Sequence, residues 1–190
     1  MRPIISKSHV LLTGVVVKSN LQSDFLNIKR PVFELEVYND VQDKWIRDIY
    51  VVFSENGDAR RSKGIKNGHI LCVEGELSFF SQEGKYVVFV QGYSVCSKDN
   101  DIAVAKTVIA ESIGFLNSVS LIGEALFCDK NIVTARCNIL GDYRGNLSKT
   151  STQPLYCISP VSEDAKRIIF TGKFVAKDTT VLEGECYEIS

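Results

Sequence analysis

Residues 32–38, Val-Phe-Glu-Leu-Glu-Val-Tyr, alternate without a break: Phe33, Leu35 and Val37 fall on one face, Glu34, Glu36 and Tyr38 on the other. Successive side chains of a strand point to opposite faces, so a period of two marks a strand with one face buried. Residues 132–139 repeat the device, with Val133, Ala135, Cys137 and Ile139 opposed to Thr134, Arg136 and Asn138. Further runs rich in Val, Ile, Phe and Tyr lie at 10–17, 45–53, 70–80, 86–95, 118–127, 155–158, 167–175 and 181–189. Gly, Asn, Asp and Ser crowd the gaps between them, as turns require. Only 58–66 and 102–113 suggest short helices. The expected chain is all-β, with ten strands.

The ten strands divide five and five at the polar run Ser97-Lys98-Asp99-Asn100-Asp101. Both halves open with an apolar strand that leads to a glycine, Gly14 or Gly123, and both carry a glycine within the fourth strand, Gly75 or Gly172. A glycine at that place lets a small barrel bend sharply and close. Five antiparallel strands in roughly 75–100 residues is the size of an OB-fold, a Greek-key barrel whose open face binds oligonucleotides. Two tandem OB-fold barrels are therefore expected, one over residues 1–100 and one over 101–190.

Composition narrows the function. The 190 residues carry 22 basic and 23 acidic side chains, net charge −1, so a strongly cationic binder is excluded and any nucleic-acid site must be a local patch. The first 97 residues are net +1 and the rest net −2, which favours the first barrel for such a site. No apolar run reaches the ~18 residues needed to span a bilayer, and the N-terminus lacks a secretory apolar core, so the expectation is a cytoplasmic protein without membrane contact. Six cysteines are scattered with no Cys-x-x-Cys, and are expected to be reduced thiols in apolar surroundings rather than zinc ligands. His9 and His69 belong to no triad or metal motif, and neither a phosphate loop nor a Gly-x-Ser-x-Gly elbow occurs. Neither catalysis nor a cofactor is expected.

Several segments, taken in order, resemble the bacterial and phage-type single-stranded DNA-binding protein family. Residues 44–53, Lys-Trp-Ile-Arg-Asp-Ile-Tyr-Val-Val-Phe, are similar to its third strand, where Trp-x-Arg leads through aliphatics to Phe. Residues 63–77 resemble its lysine–glycine turn and the Val-x-Val-Glu-Gly-x-Leu entry to strand four, and 79–90 its aromatic hairpin. Phe115–Gly123 is similar to the family's opening strand. The resemblance covers about half of the first ninety-five residues and the first strand of the second half. Three departures stand out: a Trp-to-Phe stretch two residues longer, a long 19–31 segment, and no acidic tail ending in Phe. The resemblance implies coating of single-stranded DNA in replication, recombination or mobile-element transfer. It further implies a homodimer that brings the barrel total to four. Without the tail, recruitment of repair proteins by that route is not expected.

Single-strand binders pair aromatic platforms with a cationic groove. Trp45, Arg47 and Phe53 share one strand face, an aromatic–cation–aromatic series suited to stacking and phosphate contact. The alternatives are a Trp45 that plugs the barrel end and a Phe53 turned to either side. Phe79 and Phe80 are adjacent, so one points inward. Phe79 shares parity with Leu71, Val73 and Leu77, which leaves Phe80 outside as a stacking candidate, with Tyr86 a further one. Arg60, Arg61, Lys63 and Lys66 form the densest basic cluster, either phosphate contacts or a solvated face, and Lys29 and Arg30 end the long first loop. Glu34 and Glu36, facing outward, would repel phosphate. The rival readings are an OB-fold protein-interaction subunit of a replication, primosome or transfer complex, and an RNA-binding OB module.

Overall fold

A computed structural model describes residues 6–21, 30–53, 62–98, 101–112, 115–140 and 149–189. The apolar runs form ten strands. Those of the first half are β1 (Lys7–Leu21), β2 (Val32–Asn39), β3 (Lys44–Val52), β4 (Ile70–Phe80) and β5 (Lys85–Ser97). Those of the second are β6 (Asn117–Asp129), β7 (Ile132–Asn138), β8 (Thr150–Cys157), β9 (Arg167–Ala176) and β10 (Thr180–Glu188). The strand start that moves furthest from the sequence reading is that of β8. It starts five residues before the expected 155, because Thr150-Ser151-Thr152-Gln153-Pro154 has the composition of a loop yet alternates in burial along the ladder with β7.

Each half closes into the same barrel. The first runs β1-β2-β3-β5-β4 and returns to β1; the second runs β6-β7-β8-β10-β9 and returns to β6. In both, the third and fifth strands are parallel and the other pairs antiparallel, which is the OB order. The chain is two tandem OB-fold barrels. They are joined edge to edge, since β1 and β6 pair antiparallel from Lys7↔Ile122 to Leu12↔Asn117, giving one ten-stranded sheet. A strand edge that a single barrel would expose is thereby covered.

The cores join as well as the sheets. A single apolar cluster contains Val10, Leu35 and Tyr86 from the first barrel with Val119, Phe170 and Phe174 from the second. The Tyr86 ring meets the Phe174 ring edge to face at 5.1 Å. Amide side chains stitch the seam around them. Asn39 and Asn117 both donate to the Phe174 carbonyl, at 2.9 and 3.0 Å, and Phe174 N–H donates back to Asn117 Oδ1 at 2.9 Å. Gln42 makes the same two-way bond with the backbone of Ala176.

Between the barrels lies the one helix among the described residues, α1 (Ile102–Glu111). Asp101 caps it by accepting from Ala103 and Val104 N–H, which satisfies donors that the first turn otherwise leaves open. Ala105 and Ile109, four apart on one face, pack onto Val15 of β1 and Ile70 of β4. Of the expected 58–66 helix, residues 58–61 lie outside the described residues and 62–64 form a single 3₁₀ turn.

Two cysteines overturn the expectation of six free thiols. Cys157 and Cys186 form a disulfide, Cα–Cα 5.7 Å, although 29 residues separate them. The parallel pairing of β8 with β10 sets Gly184 opposite Cys157 and brings Cys186 alongside, a proximity that sequence spacing does not contain. Cys72, Cys96, Cys128 and Cys137 are free thiols.

Candidate nucleic-acid interface

The outer face of β3 departs from the simple alternation. Leu35 pairs with Ile49 and Val37 with Ile46, so two β3 residues, Arg47 and Asp48, oppose the single Glu36. Asp48 takes φ +58°, the left-handed region, and the strand bulges there. Parity flips across the bulge. Ile46 points inward before it; Ile49, Val51 and Phe53 point inward after it. Trp45 and Phe53 are therefore on opposite faces, and the proposed aromatic–cation–aromatic series does not form.

Phe53 is fully buried, edge to face with Phe33 at 5.4 Å and with Tyr93 at 4.8 Å. Tyr86 is fully buried between Phe79 and Phe174. Neither ring can offer a face to a base, and both assignments are corrected to core. Burial holds the Tyr86 phenol far above its ordinary range.

Trp45 takes a third place, neither barrel plug nor open platform. It is half-buried against Tyr38 at 5.2 Å between centroids, and the Lys106 ammonium of α1 lies over its ring at 5.1 Å. Lys106 also ion-pairs with Glu36, and Arg47 approaches the same carboxylate at 3.4 Å while its side chain stays 72% exposed. Glu34 pairs with Lys18 at 2.7 Å. The two glutamates are on the outer face as expected, but they are buried and each has a cation, so they do not present bare charge to a phosphate.

Phe79 and Phe80 divide as parity requires. Phe79 packs on the inner cluster and on the Tyr86 ring at 4.6 Å. Phe80 turns outward and packs on a second apolar cluster formed by Val32, Tyr50, Val52, Val87 and Phe89. The bulge is what brings Tyr50 and Val52 to this face. The Lys85 ammonium stands over the Tyr50 ring at 5.5 Å. Tyr50 and Lys85 were missed in the sequence reading; Asp48 in mid-strand, a residue that tolerates left-handed backbone, was the available signal.

Beside Phe80 opens a cleft of about 310 Å³ at the seam between the barrels. Phe80, Phe89 and Ile139 give it apolar wall, and Ser81, Gln82 and Thr152 line it with groups able to bond a base edge. It is at the small end of ligand-sized clefts, which run from ~300 Å³.

The basic candidates disperse. Lys63 and Lys66 are exposed around the 3₁₀ turn, whose following residue, Ile65, is buried in the core. Arg30 is buried rather than held out toward a strand, and Lys29, Arg60 and Arg61 lie outside the described residues. Among the described residues no three His, Cys, Asp or Glu side chains converge as metal ligands, and no helix is long and apolar enough to cross a membrane.

The fold has a counterpart. A deletion mutant of the single-stranded DNA-binding protein from Thermus aquaticus superposes on 98% of this chain and 96% of its own, with TM-score 0.54 and 12% sequence identity. At that identity the likeness is one of fold alone. The Stn1–Ten1 complex of S. pombe is more distant, with TM-score 0.32 and 18% identity over 53% of this chain and 66% of that one. No family model matches the sequence, and neither does any curated protein.

Proposed function

We propose that this protein is a non-enzymatic single-stranded DNA-binding protein, coating exposed strands in replication, recombination or element transfer. The observation that carries the reading is architectural. Two OB barrels with one strand order are fused through β1 and β6, and the whole superposes on the Thermus aquaticus single-stranded DNA-binding protein over nearly all of both chains. On this reading a base stacks on Phe80 in the seam cleft, hydroxyls of Ser81 and Thr152 meet its edge, and Arg47, Lys63 and Lys66 supply phosphate attraction. Residues 1–100 carry most of the site, residues 101–190 contribute one wall of the cleft, and a homodimer is the working assembly.

The test is a titration of labelled oligo(dT) at several salt concentrations. Affinity should fall linearly on log–log axes, by a slope of about 0.7 for each single-strand phosphate contacted. Replacing Lys63 and Lys66 by Ala should flatten that slope, and oligo(rU) in place of oligo(dT) separates the RNA-binding alternative. No binding at low salt overturns the proposal. One observation favours a protein-interaction module instead: α1 leaves Val104 and Val108 about half exposed, one turn apart, above the outer face of the first barrel. A chain that fails with every oligonucleotide would return to that reading.

A further inference from the structure

The free thiols of Cys72 and Cys96 lie 3.2 Å apart, sulfur to sulfur, on the outer face of the first barrel. Cys72 stands opposite Ser94 in the β4–β5 ladder, and a register shift places Leu71 opposite Val95 but Ile70 opposite Ser97. Cys96 is the extra residue of that bulge, and its side chain is turned toward Cys72 on the outer face. We propose that Cys72 and Cys96 form a redox modification site, a dithiol that small-molecule disulfides oxidise to an intramolecular cystine. To reach bonding distance of ~2.05 Å the two sulfurs need to close by little more than 1 Å, within the reach of side-chain rotation on adjacent strands.

The steps balance. Cys96 is exposed, whereas Cys72 is half-buried and burial raises its thiol above the ordinary range, so Cys96 is the attacking group. Its thiolate, having given a proton to water, attacks one sulfur of a glutathione-type disulfide and expels one glutathione thiolate. Cys72 then loses its proton and its thiolate displaces the second glutathione from Cys96. The protein dithiol is oxidised by two electrons and the small disulfide is reduced to two thiols.

The site is coupled to the junction between the barrels. Thr13 Oγ1 lies 3.3 Å from the Cys72 sulfur and accepts from Leu116 N–H at 3.1 Å, just before β6 begins. Cys96 lies one residue before the end of β5, from which the chain leads to the Asp101 cap of α1. A bond there would pin β5 to β4 at the point where the chain leaves the first barrel. Phe80 lies at the opposite end of β4, so the site stands apart from the seam cleft.

The experiment treats the full chain with excess oxidised glutathione, alkylates the remaining thiols, and maps peptides without reduction. The expected product joins Cys72 to Cys96, with Cys128 and Cys137 alkylated only after unfolding. Cys72→Ser should instead trap glutathione on Cys96, and Cys96→Ser should leave Cys72 free and alkylated. A wild-type chain that keeps glutathione on Cys96, or in which both thiols survive the oxidant, overturns the proposal. The wild-type map alone decides, so a variant that folds poorly does not remove the test.

Discussion

Val10 of β1 sits directly opposite Val119 of β6, and the two valines are equivalent positions of the two barrels. The same relation extends to their other neighbours: Val10 pairs with Gly75 on β4, and Val119 pairs with Gly172 on β9. An antiparallel pair of equivalent strands meeting at equivalent residues places a local two-fold axis between the barrels. Each barrel's last hairpin consequently leans on the other barrel. Gln42 binds Ala176 on one side, and Ser151 Oγ accepts from Phe79 N–H on the other. The seam cleft beside Phe80 is a product of that arrangement and does not exist in either barrel alone.

Gly75 and Gly172 should be the least replaceable residues of the two fourth strands. A Cβ on Gly75 would sit 2.1 Å from the Phe89 carbonyl oxygen, and one on Gly172 would sit 2.3 Å from that of Glu183. Both contacts are with backbone, which cannot rotate aside. Gly75→Ala and Gly172→Ala should each cost at least 1–3 kcal/mol, the usual penalty of overpacking. Gly64→Ala, whose Cβ meets nothing within 4 Å, should leave the urea midpoint unchanged.

Trp45 should report on α1 more than on DNA. Lys106 lies over its ring and Tyr38 packs against it, so oligo(dT) at saturation should quench its fluorescence weakly. Lys106→Ala should change that emission in the absence of DNA and lower stability by about 1–3 kcal/mol, since it leaves the buried Glu36 carboxylate with only the more distant Arg47. Strong quenching of the wild type by oligo(dT) would mean that α1 leaves Trp45 when a strand binds.

The barrels were legible because alternation, turn residues and the paired glycines all act locally, and they agree with the closure that tertiary structure requires. Phe79 and Phe80 were separable for the same reason. The shared face of Trp45 and Phe53 was misread through one residue: Asp48 in the left-handed region flips the face of everything after it, so Phe53 went inward and Tyr50 outward. Proximity created by topology was not legible at all. The Cys157–Cys186 bond, the Lys106–Trp45 contact and the seam cleft each join segments remote in sequence. The ladders that bring them together are set by the pairing of whole strands, of which no single residue carries a mark.

Reduction of the Cys157–Cys186 bond should destabilise the second barrel. The bond closes a loop spanning a sequence separation of 29, for which chain entropy gives about 3.6 kcal/mol in the unfolded state. Dithiothreitol, or the double change to Ala, should lower the melting temperature measurably. An unchanged melt would show that the bond is not formed in solution.

Stability should also fall between about pH 9 and 11. Burial pushes the Cys137 thiol from 9.0 up to about 11. In that window the unfolded chain releases this proton and the folded chain retains it, so the unfolded state is favoured progressively as pH rises. The slope is about 1.4 kcal/mol per pH unit for one fully separated group. Urea titrations at pH 8, 9.5 and 11 should show the decline, and Cys137→Ala should reduce its steepness. Equal slopes in both proteins would assign the decline to other groups, of which the buried Tyr86 phenol is one.

Phe79→Ala and Phe80→Ala, adjacent in sequence, should behave in opposite ways. Phe79 faces the core against Tyr86, so its truncation should cost about 2–4 kcal/mol of stability, somewhat below a fully buried Phe because the residue is only partly covered. Phe80 faces the seam cleft, and its loss should weaken oligo(dT) binding by about 1–3 kcal/mol, the usual contribution of one stacked base. The same loss should cost less stability than Phe79→Ala, because part of the ring is open to solvent in the native chain. Thermal melts and salt-matched titrations of both variants give four numbers, and the two effects must separate by residue. Phe80→Ala with undiminished affinity would remove the cleft from the binding surface. The search would then move to Arg47, whose exposed guanidinium is the next group on that side of β3 able to meet a phosphate.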